Sequence, residues 1–275
     1  MPRHHLTLLR GAKHAFNRVL RPLRLEFIRA GSLERMYDKL RREIVALERM
    51  SSELLFPDYP PHNDRRIELL ANLTGTSVLE GIYVVAHLAR CREVDGDVCE
   101  FGVAQGCTSA LMGHVIRDTA KRLWLFDSFD GLPRPTPEDE LKDDIFQLGS
   151  IEAYAGTMAT PADVVRNRLA EIGFPNARAN IVPGFVEDTT KGTHLPRAVC
   201  FAYVDLDFYS GIATALGFLD GVLGPSGVVV VDDYDYFSTG VKKAVDEFVA
   251  GRGDSYRLTF PIEAAGRFCI LQRIR

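Results

Sequence analysis

Two pairs of aspartates, each closing an apolar run, carry the most chemistry in this chain. Asp205-Leu206-Asp207 follows Val199-Cys200-Phe201-Ala202-Tyr203-Val204, and Asp232-Asp233 follows Gly227-Val228-Val229-Val230-Val231. Asp205 and Asp232 lie 27 residues apart, room for one strand, one helix and a second strand. In a right-handed βαβ unit both pairs emerge at the carboxyl edge of neighbouring parallel strands. Three or four carboxylates converging there make a hard-oxygen site suited to Mg2+ or a similar cation. A single aspartate in such a place more often caps a helix. Two pairs at matching strand ends favour the metal.

A second signal lies upstream. Val98-Cys99-Glu100-Phe101-Gly102-Val103-Ala104-Gln105-Gly106 reads as a strand that ends in a carboxylate and runs into a turn with glycines at 102 and 106. Glycine there permits left-handed backbone and close approach to a ligand. Thr108-Ser109-Ala110-Leu111-Met112 then begins a helix. The pattern is E-x-G-x-x-x-G, not the G-x-G-x-x-G of pyrophosphate-binding turns, so it suits a cofactor without phosphates. The next apolar run, Arg122-Leu123-Trp124-Leu125-Phe126, ends in Asp127, 25 residues beyond Gly102. An acid at the end of the second strand of such a unit accepts hydrogen bonds from ribose hydroxyls. A glycine turn, a ribose carboxylate and no phosphate clamp point to S-adenosylmethionine (SAM).

These residues need an α/β frame. Strands are expected at 97–101, 122–126, 179–183, 199–204, 227–231, 256–260 and 267–273, with helices near 108–119, 161–172, 211–222 and 240–251. This body spans residues 96–275. An insert at about 130–160, rich in Pro, Asp and Glu, is either a lid over the ligand edge or a loose surface excursion. Ahead of the body, residues 31–95 form a helical extension. In it, 32–50 carries an apolar stripe of Leu33, Met36, Leu40, Ile44 and Leu47, and Arg65–Leu73 and Leu79–Cys91 also look helical. Residues 1–30 form a basic arm with seven Arg or Lys and one acid, Glu26.

The chain has 275 residues and a net charge of −4, so the rest of it is more acidic than the total shows. An acidic body argues against a nucleic-acid substrate. No apolar run reaches the roughly 20 residues needed to span a bilayer. The five cysteines form no C-x-x-C pair, which fits a reducing, cytoplasmic setting.

Five stretches then fall in order: GDVCEFGVAQG (96–106), RLWLFDSFDGLP (122–133), IVPGFVEDT (181–189), FAYVDLDFYSGIATAL (201–216) and GPSGVVVVDDYDYFSTGVKKAVDEF (224–248). In motif and spacing the chain resembles the macrocin-type (TylF-like) sugar O-methyltransferases, which include enzymes that finish the sugars of mycinamicin and novobiocin. It departs from many members at Leu206, where they carry glycine, and at Gln105-Gly106-Cys107-Thr108, where basic or Gly-Ser residues are frequent.

The resemblance implies a class I SAM-dependent methyltransferase fold, Rossmann-like, with a seven-stranded, mostly parallel sheet whose last strand is antiparallel. It implies SAM and Mg2+ as cofactors. Matched residue by residue, Asp205, Asp232 and Asp233 become the metal ligands. Glu100, Gly102 and Gly106 flank the methionyl part of SAM, Asp127 holds the ribose with Ser128 beside it, and Gly184-Phe185-Val186 faces the adenine. The implied reaction is Mg2+-dependent methyl transfer from SAM to a hydroxyl of a sugar or glycosylated natural product.

Asp207, offset from Asp205 along the strand end, is the preferred general base. If residue 207 points into the sheet, Asp205 serves as both ligand and base. Tyr209, Tyr234, Tyr236 and Phe237 are candidates for an acceptor wall, with Tyr59 and His62 closing over it. A catechol or phenol offers Mg2+ the same adjacent oxygens as a sugar diol, and the sequence does not separate them. A nucleotide-sugar glycosyltransferase using Asp205-Leu206-Asp207 as a D-x-D leaves the glycine turn and Asp127 unexplained. A non-catalytic scaffold leaves the acids unexplained. The expected partner is a small-molecule hydroxyl acceptor, and a homo-oligomer is expected.

Overall fold

The central strands of the sheet are short apolar runs, and the order in which they pair decides where the acids meet. The computed structural model describes residues 30–275. The basic arm of residues 1–30 lies, but for its last residue, outside them. Helix α1 (Ala30–Leu54) opens the described chain, followed by α2 (Asp64–Ala71) and α3 (Val78–Arg90). Of the expected α1 stripe, Ile44 is fully buried, while Leu33 and Met36 stay exposed. Residues Ile44–Arg275 form one compact unit.

The sheet consists of β1 (Asp97–Phe101), β2 (Leu123–Asp127), β3 (Ala179–Pro183), β4 (Val199–Val204), β5 (Leu223–Val231), β6 (Tyr256–Thr259) and β7 (Cys269–Arg273). Its order is β3-β2-β1-β4-β5-β7-β6. β7 runs antiparallel to both neighbours, and the other pairings are parallel. The strand order reverses between β1 and β4, the place where open α/β sheets bind ligands at their carboxyl edge. β4 is buried along its whole length, as a central strand covered on both faces must be.

One face is covered by α6 (Val186–Thr189), α7 (Tyr209–Val222) and α8 (Thr239–Ala250). The other carries α2, α3, α4 (Cys107–Val115) and α5 (Ala162–Glu171), with α3 lying over β4 and β5. Phe101 stacks on Phe126 at 4.6 Å between ring centres and anchors the first face.

Two boundaries differ from expectation. β5 starts at Leu223, which pairs with Val199; a bulge over 224–227 then delays the next pairing to Val228. Ser226 takes a left-handed φ of 64° there. Helix α4 stops at Val115, where the Ile116 N–H turns back to Met112 and His114.

The insert is a fastened structure. Lys142 N–H donates to Phe237 O, Thr239 N–H donates to Glu140 O, and Leu141 bridges Ser238. Ile151, Tyr154, Phe208 and Phe237 pack into a small core beneath it. Asp139 accepts from the Tyr209 N–H at the head of α7. A Cβ on Gly240 would stand 1.8 Å from Asp139 Oδ1, so glycine is required for this docking. Among the described residues no helix is long and apolar enough to cross a membrane.

Candidate active site

Strand register builds the site. Phe126, Phe101, Val204 and Val231 stand in one row across β2, β1, β4 and β5. The next residue on each, Asp127, Gly102, Asp205 and Asp232, therefore forms the carboxyl rim of the sheet.

On the β1 and β2 side the rim is a tight turn. Gly102 has φ 82°, and a Cβ there would stand 1.7 Å from Asp205 O. The glycine is needed because backbone packs on backbone, a reason separate from any ligand. Gly106, at φ 72°, caps α4 and packs against Val165 of α5. Asp127 Oδ2 accepts from the N–H groups of Val103 and Ala104 at 2.6 and 2.9 Å, and Oδ1 accepts from Phe129 N–H at 2.6 Å. The expected ribose acid thus shapes the glycine turn itself. A carboxylate has about four acceptor positions, so capacity for further donors remains.

The other expected cofactor residues divide. Gly184 N–H donates to Asp127 O at 2.9 Å, and the exposed Phe185 follows it, so both lie beside Asp127. The Ser128 hydroxyl donates to Gly131 O and accepts from Asp130 N–H, which binds it into its own turn. Glu100 is buried beneath the turn, where its Oε2 accepts from the Ser109 hydroxyl on α4. Burial, with the nearby Asp127 charge adding to it against the opposing Ser109 bond, pushes the Glu100 carboxyl up to about 8.

On the β4 and β5 side the acids converge. Asp205, Asp207 and Asp233 each bring a carboxylate oxygen within 4.8 Å of the others. The expected offset of Asp207 from Asp205 is absent: the chain has already left β4 at Val204, and it brings the two carboxylates together. The backbone at Asp207 turns left-handed at φ 61°, and Ser238 Oγ donates to its carbonyl. Burial and the neighbouring Asp232 charge raise Asp207 to about 7 and Asp233 to about 9, and burial raises Asp205 well above the usual carboxylate range. Asp232, expected among the ligands, stands outside this trio. Its Oδ2 accepts from the Tyr203 hydroxyl and its Oδ1 from the Asp233 N–H, both at 2.8 Å.

The aromatic wall is thinner than expected. Phe237 is fully buried against Tyr154 and Phe208 and belongs to the core under the insert. The Tyr209 hydroxyl bonds Glu247, and Tyr234 bonds Asp246 and lies against Phe260. Tyr236 remains exposed. Tyr59 is committed to the buried Glu48–Arg66 pair, and His62 lies near Asp64 at the surface. A cavity of about 750 Å³ opens on Arg92, Lys121, Trp124 and His194 at the amino edge of the sheet, away from all of these acids.

The chain has relatives among known proteins. A family model described as Macrocin-O-methyltransferase (TylF) matches residues 63–273. The chain belongs to the macrocin-O-methyltransferase family. It is 30% identical over 165 residues to the 8-demethyl-8-(2,3-dimethoxy-alpha-L-rhamnosyl)-tetracenomycin-C 4'-O-methyltransferase of Streptomyces olivaceus, covering 59% of this chain and 62% of that protein. It is 30% identical over 146 residues to the Mycinamicin III 3''-O-methyltransferase of Micromonospora griseorubida, covering 51% and 56%. The match thus spans about six tenths of the length of these curated relatives. Among solved structures, the O-methyltransferase NovP superposes with a TM-score of 0.58 at 23% identity over 72% of this chain and 81% of that one. CalS11, a calicheamicin methyltransferase, gives a TM-score of 0.58 at 19% identity over 86% and 91%. At these identities the likeness is one of fold.

Within this macrocin-O-methyltransferase fold, three polar side chains join the rim that motif reading did not single out: Glu80, Tyr203 and Ser109. Glu80 carries a local signal. Ser77-Val78-Leu79-Glu80 has the S-x-x-E form of a helix cap, and Ser77 Oγ does accept the Glu80 N–H. The carboxylate goes elsewhere, to the Tyr203 hydroxyl at 3.1 Å.

Proposed function

We propose that this chain transfers a methyl group from SAM to a hydroxyl of a sugar carried by a natural product, with a divalent cation in the acidic rim. The observation that carries the reading is the trio Asp205, Asp207 and Asp233 at the exits of β4 and β5, beside the glycine turn, in a chain of the macrocin-O-methyltransferase family. Both curated relatives are named as methyltransferases of glycosylated compounds, which supports a sugar acceptor.

The donor set fits a hard cation. All three side chains offer carboxylate oxygen, the preferred ligand of Mg2+. Burial first, and the charges of the neighbouring acids after it, raise the proton affinity of all three. Asp205 and Asp233 would hold the ion, with Asp232 behind Asp233. When bound, such an ion supplies Lewis acidity that makes a nearby hydroxyl easier to deprotonate. SAM supplies an electrophilic sulfonium methyl. The turn around Gly102 and Gly106, braced by Asp127, would seat it.

The protein's own part is placement and proton removal. A sugar hydroxyl is a weak nucleophile until it loses its proton. Asp207 stands beside the acids that would hold the ion, where a carboxylate can take that proton. The Gly102–Asp205 contact fixes the distance between the methyl-donor turn and the acids, which converts the encounter into a positioned one. The insert is fastened beside the exits of β4 and β5, next to the rim. The reading is tested by assaying methyl transfer from SAM to a panel of glycosides and phenols with and without chelator.

A further inference from the structure

The acidic rim does not hold its own shape. Asp233 sits in left-handed backbone at φ 56°, a conformation that costs a non-glycine residue free energy unless its surroundings impose it. What imposes it is Asp232, whose Oδ1 accepts the Asp233 N–H at 2.8 Å. Asp232 is held in turn by the Tyr203 hydroxyl, 2.8 Å from its Oδ2. The same hydroxyl lies 3.1 Å from Glu80 Oε1, so its single hydrogen is shared between two acids. Burial and the nearby Asp232 charge hold the Glu80 carboxyl well above the usual carboxylate range. Thr76 Oγ1, 3.4 Å from the Tyr203 hydroxyl, completes these surroundings.

The position of Glu80 calls for a reason. It is 3% exposed, on a helix whose neighbouring residues Gly81, Ile82, Tyr83, Val84 and Val85 are all buried. Burying a carboxyl is costly unless it is hydrogen-bonded. A glutamate serving only as a helix cap could do so at the surface. Here the head of α3 is held by Ser77, which accepts the Glu80 N–H and donates to Ala265 O at 2.7 Å. The Glu80 carboxylate is left for Tyr203. A polar route thus runs from α3 through β4 to the turn after β5, and it ends on an acid of the trio.

We infer that Glu80 is a positioning residue for the cation site: through Tyr203 and Asp232 it locks the Asp233 turn and so sets the affinity of the rim for a divalent ion. The inference rests on the reading of the rim as a cation site. Glu80 touches no reacting atom. Its removal leaves the Tyr203 hydroxyl and Asp232 free to reorient and loosens the left-handed turn at Asp233. Hard cations tolerate little drift in ligand position, and outer partners of metal ligands typically matter by about 10–100-fold in affinity. The glycine turn and Asp127 lie off this route, so the methyl-donor seat should not respond.

The test uses the full chain in four forms: wild type, Glu80→Gln, Glu80→Ala and Tyr203→Phe. Each is titrated with Mn2+ by electron paramagnetic resonance and, separately, with S-adenosylhomocysteine by calorimetry. Glu80→Gln keeps an acceptor toward Tyr203, so it should bind Mn2+ like wild type. Glu80→Ala and Tyr203→Phe should lose about 10–100-fold in Mn2+ affinity. S-adenosylhomocysteine affinity should stay level across all four. Wild-type Mn2+ affinity in folded Glu80→Ala overturns the inference, as does a parallel fall in S-adenosylhomocysteine affinity, which marks a general packing role. Should Glu80→Ala not fold, Tyr203→Phe decides alone: loss of Mn2+ affinity supports the route and retention overturns it. A wild type that takes up no Mn2+ sinks the cation reading itself, and the Glu80 role with it.

Discussion

The carbonyl oxygen of Asp205 occupies the space a side chain on Gly102 would need. A Cβ at Gly102 would stand 1.7 Å from it, and the Asp205 N–H donates to Phe101 O at 2.7 Å. The glycine turn after β1 and the acidic end of β4 therefore share one wall. Neither half of the site can shift without the other.

Gly102→Ala should damage both halves at once. Left-handed backbone alone costs an L-residue about 1–2 kcal/mol, and the collision with Asp205 adds to it. The expected loss in unfolding free energy exceeds about 2 kcal/mol, with S-adenosylhomocysteine and Mn2+ affinity falling together. Denaturant unfolding and the two titrations measure this. A variant as stable as wild type would contradict the shared wall.

Asp127→Ala should weaken S-adenosylhomocysteine binding by about 1.5–3 kcal/mol, the range for hydrogen bonds to a charged group. Two effects combine: the ribose acid goes, and the Val103 and Ala104 N–H groups lose their acceptor. Calorimetry showing unchanged affinity would remove Asp127 from the cofactor seat.

Glu100 makes the cation-free protein sensitive to pH. Its carboxyl is raised from 4.5 to about 8, so the folded state keeps a proton that the unfolded chain releases. The stability this proton contributes is full below about 4.5 and is lost as pH rises to about 8. The slope is at most ~1.4 kcal/mol per pH unit for one group. Glu100→Gln keeps an acceptor for Ser109 without titrating, so its melting temperature should fall less than that of wild type between pH 5 and 8. Parallel curves would show that Glu100 is ionised in the folded protein.

Much of this was legible in the residues. Apolar runs mark the central strands, and the acids closing β2, β4 and β5 mark the carboxyl rim. The strand ends at Asp127, Asp205 and Asp232 align because the register of β2, β1, β4 and β5 is parallel and in step. Side-chain direction was not legible. Asp207 joined Asp205 and Asp232 left the trio because of local left-handed backbone and a tyrosine 29 residues away from Asp232. Glu80 lies in a stretch read only as helical, and nothing in its spacing shows that its carboxylate meets Tyr203. Glu100 looked like a ligand-facing acid until Ser109 drew it inward. The insert read equally as lid or excursion, since its fastening depends on Asp139 meeting a helix head and a bare Gly240.

Asp207→Asn keeps a side-chain oxygen toward the cation and leaves Asp205 and Asp233 in place, so Mn2+ should still bind and S-adenosylhomocysteine binding should stay close to wild type, while the chemical step slows by about 10²–10⁴, the usual effect of removing a general base. Single-turnover methyl transfer isolates that step from product release. If Asp207→Asn transfers methyl at the wild-type rate while Asp205→Asn is inactive with Mn2+ still bound, Asp205 is the base.

The central claim is methyl transfer to a sugar hydroxyl at the acidic rim. Its most direct measurement is mass spectrometry of products formed from SAM and a panel of glycosides and simple phenols, run with Mg2+, with excess chelator, and with an Asp205→Ala, Asp233→Ala double variant. The account predicts a glycoside gaining one methyl group on its sugar ring with Mg2+, and no product in the other two conditions. Methylation confined to phenols, or full turnover in chelator or in the double variant, would contradict it.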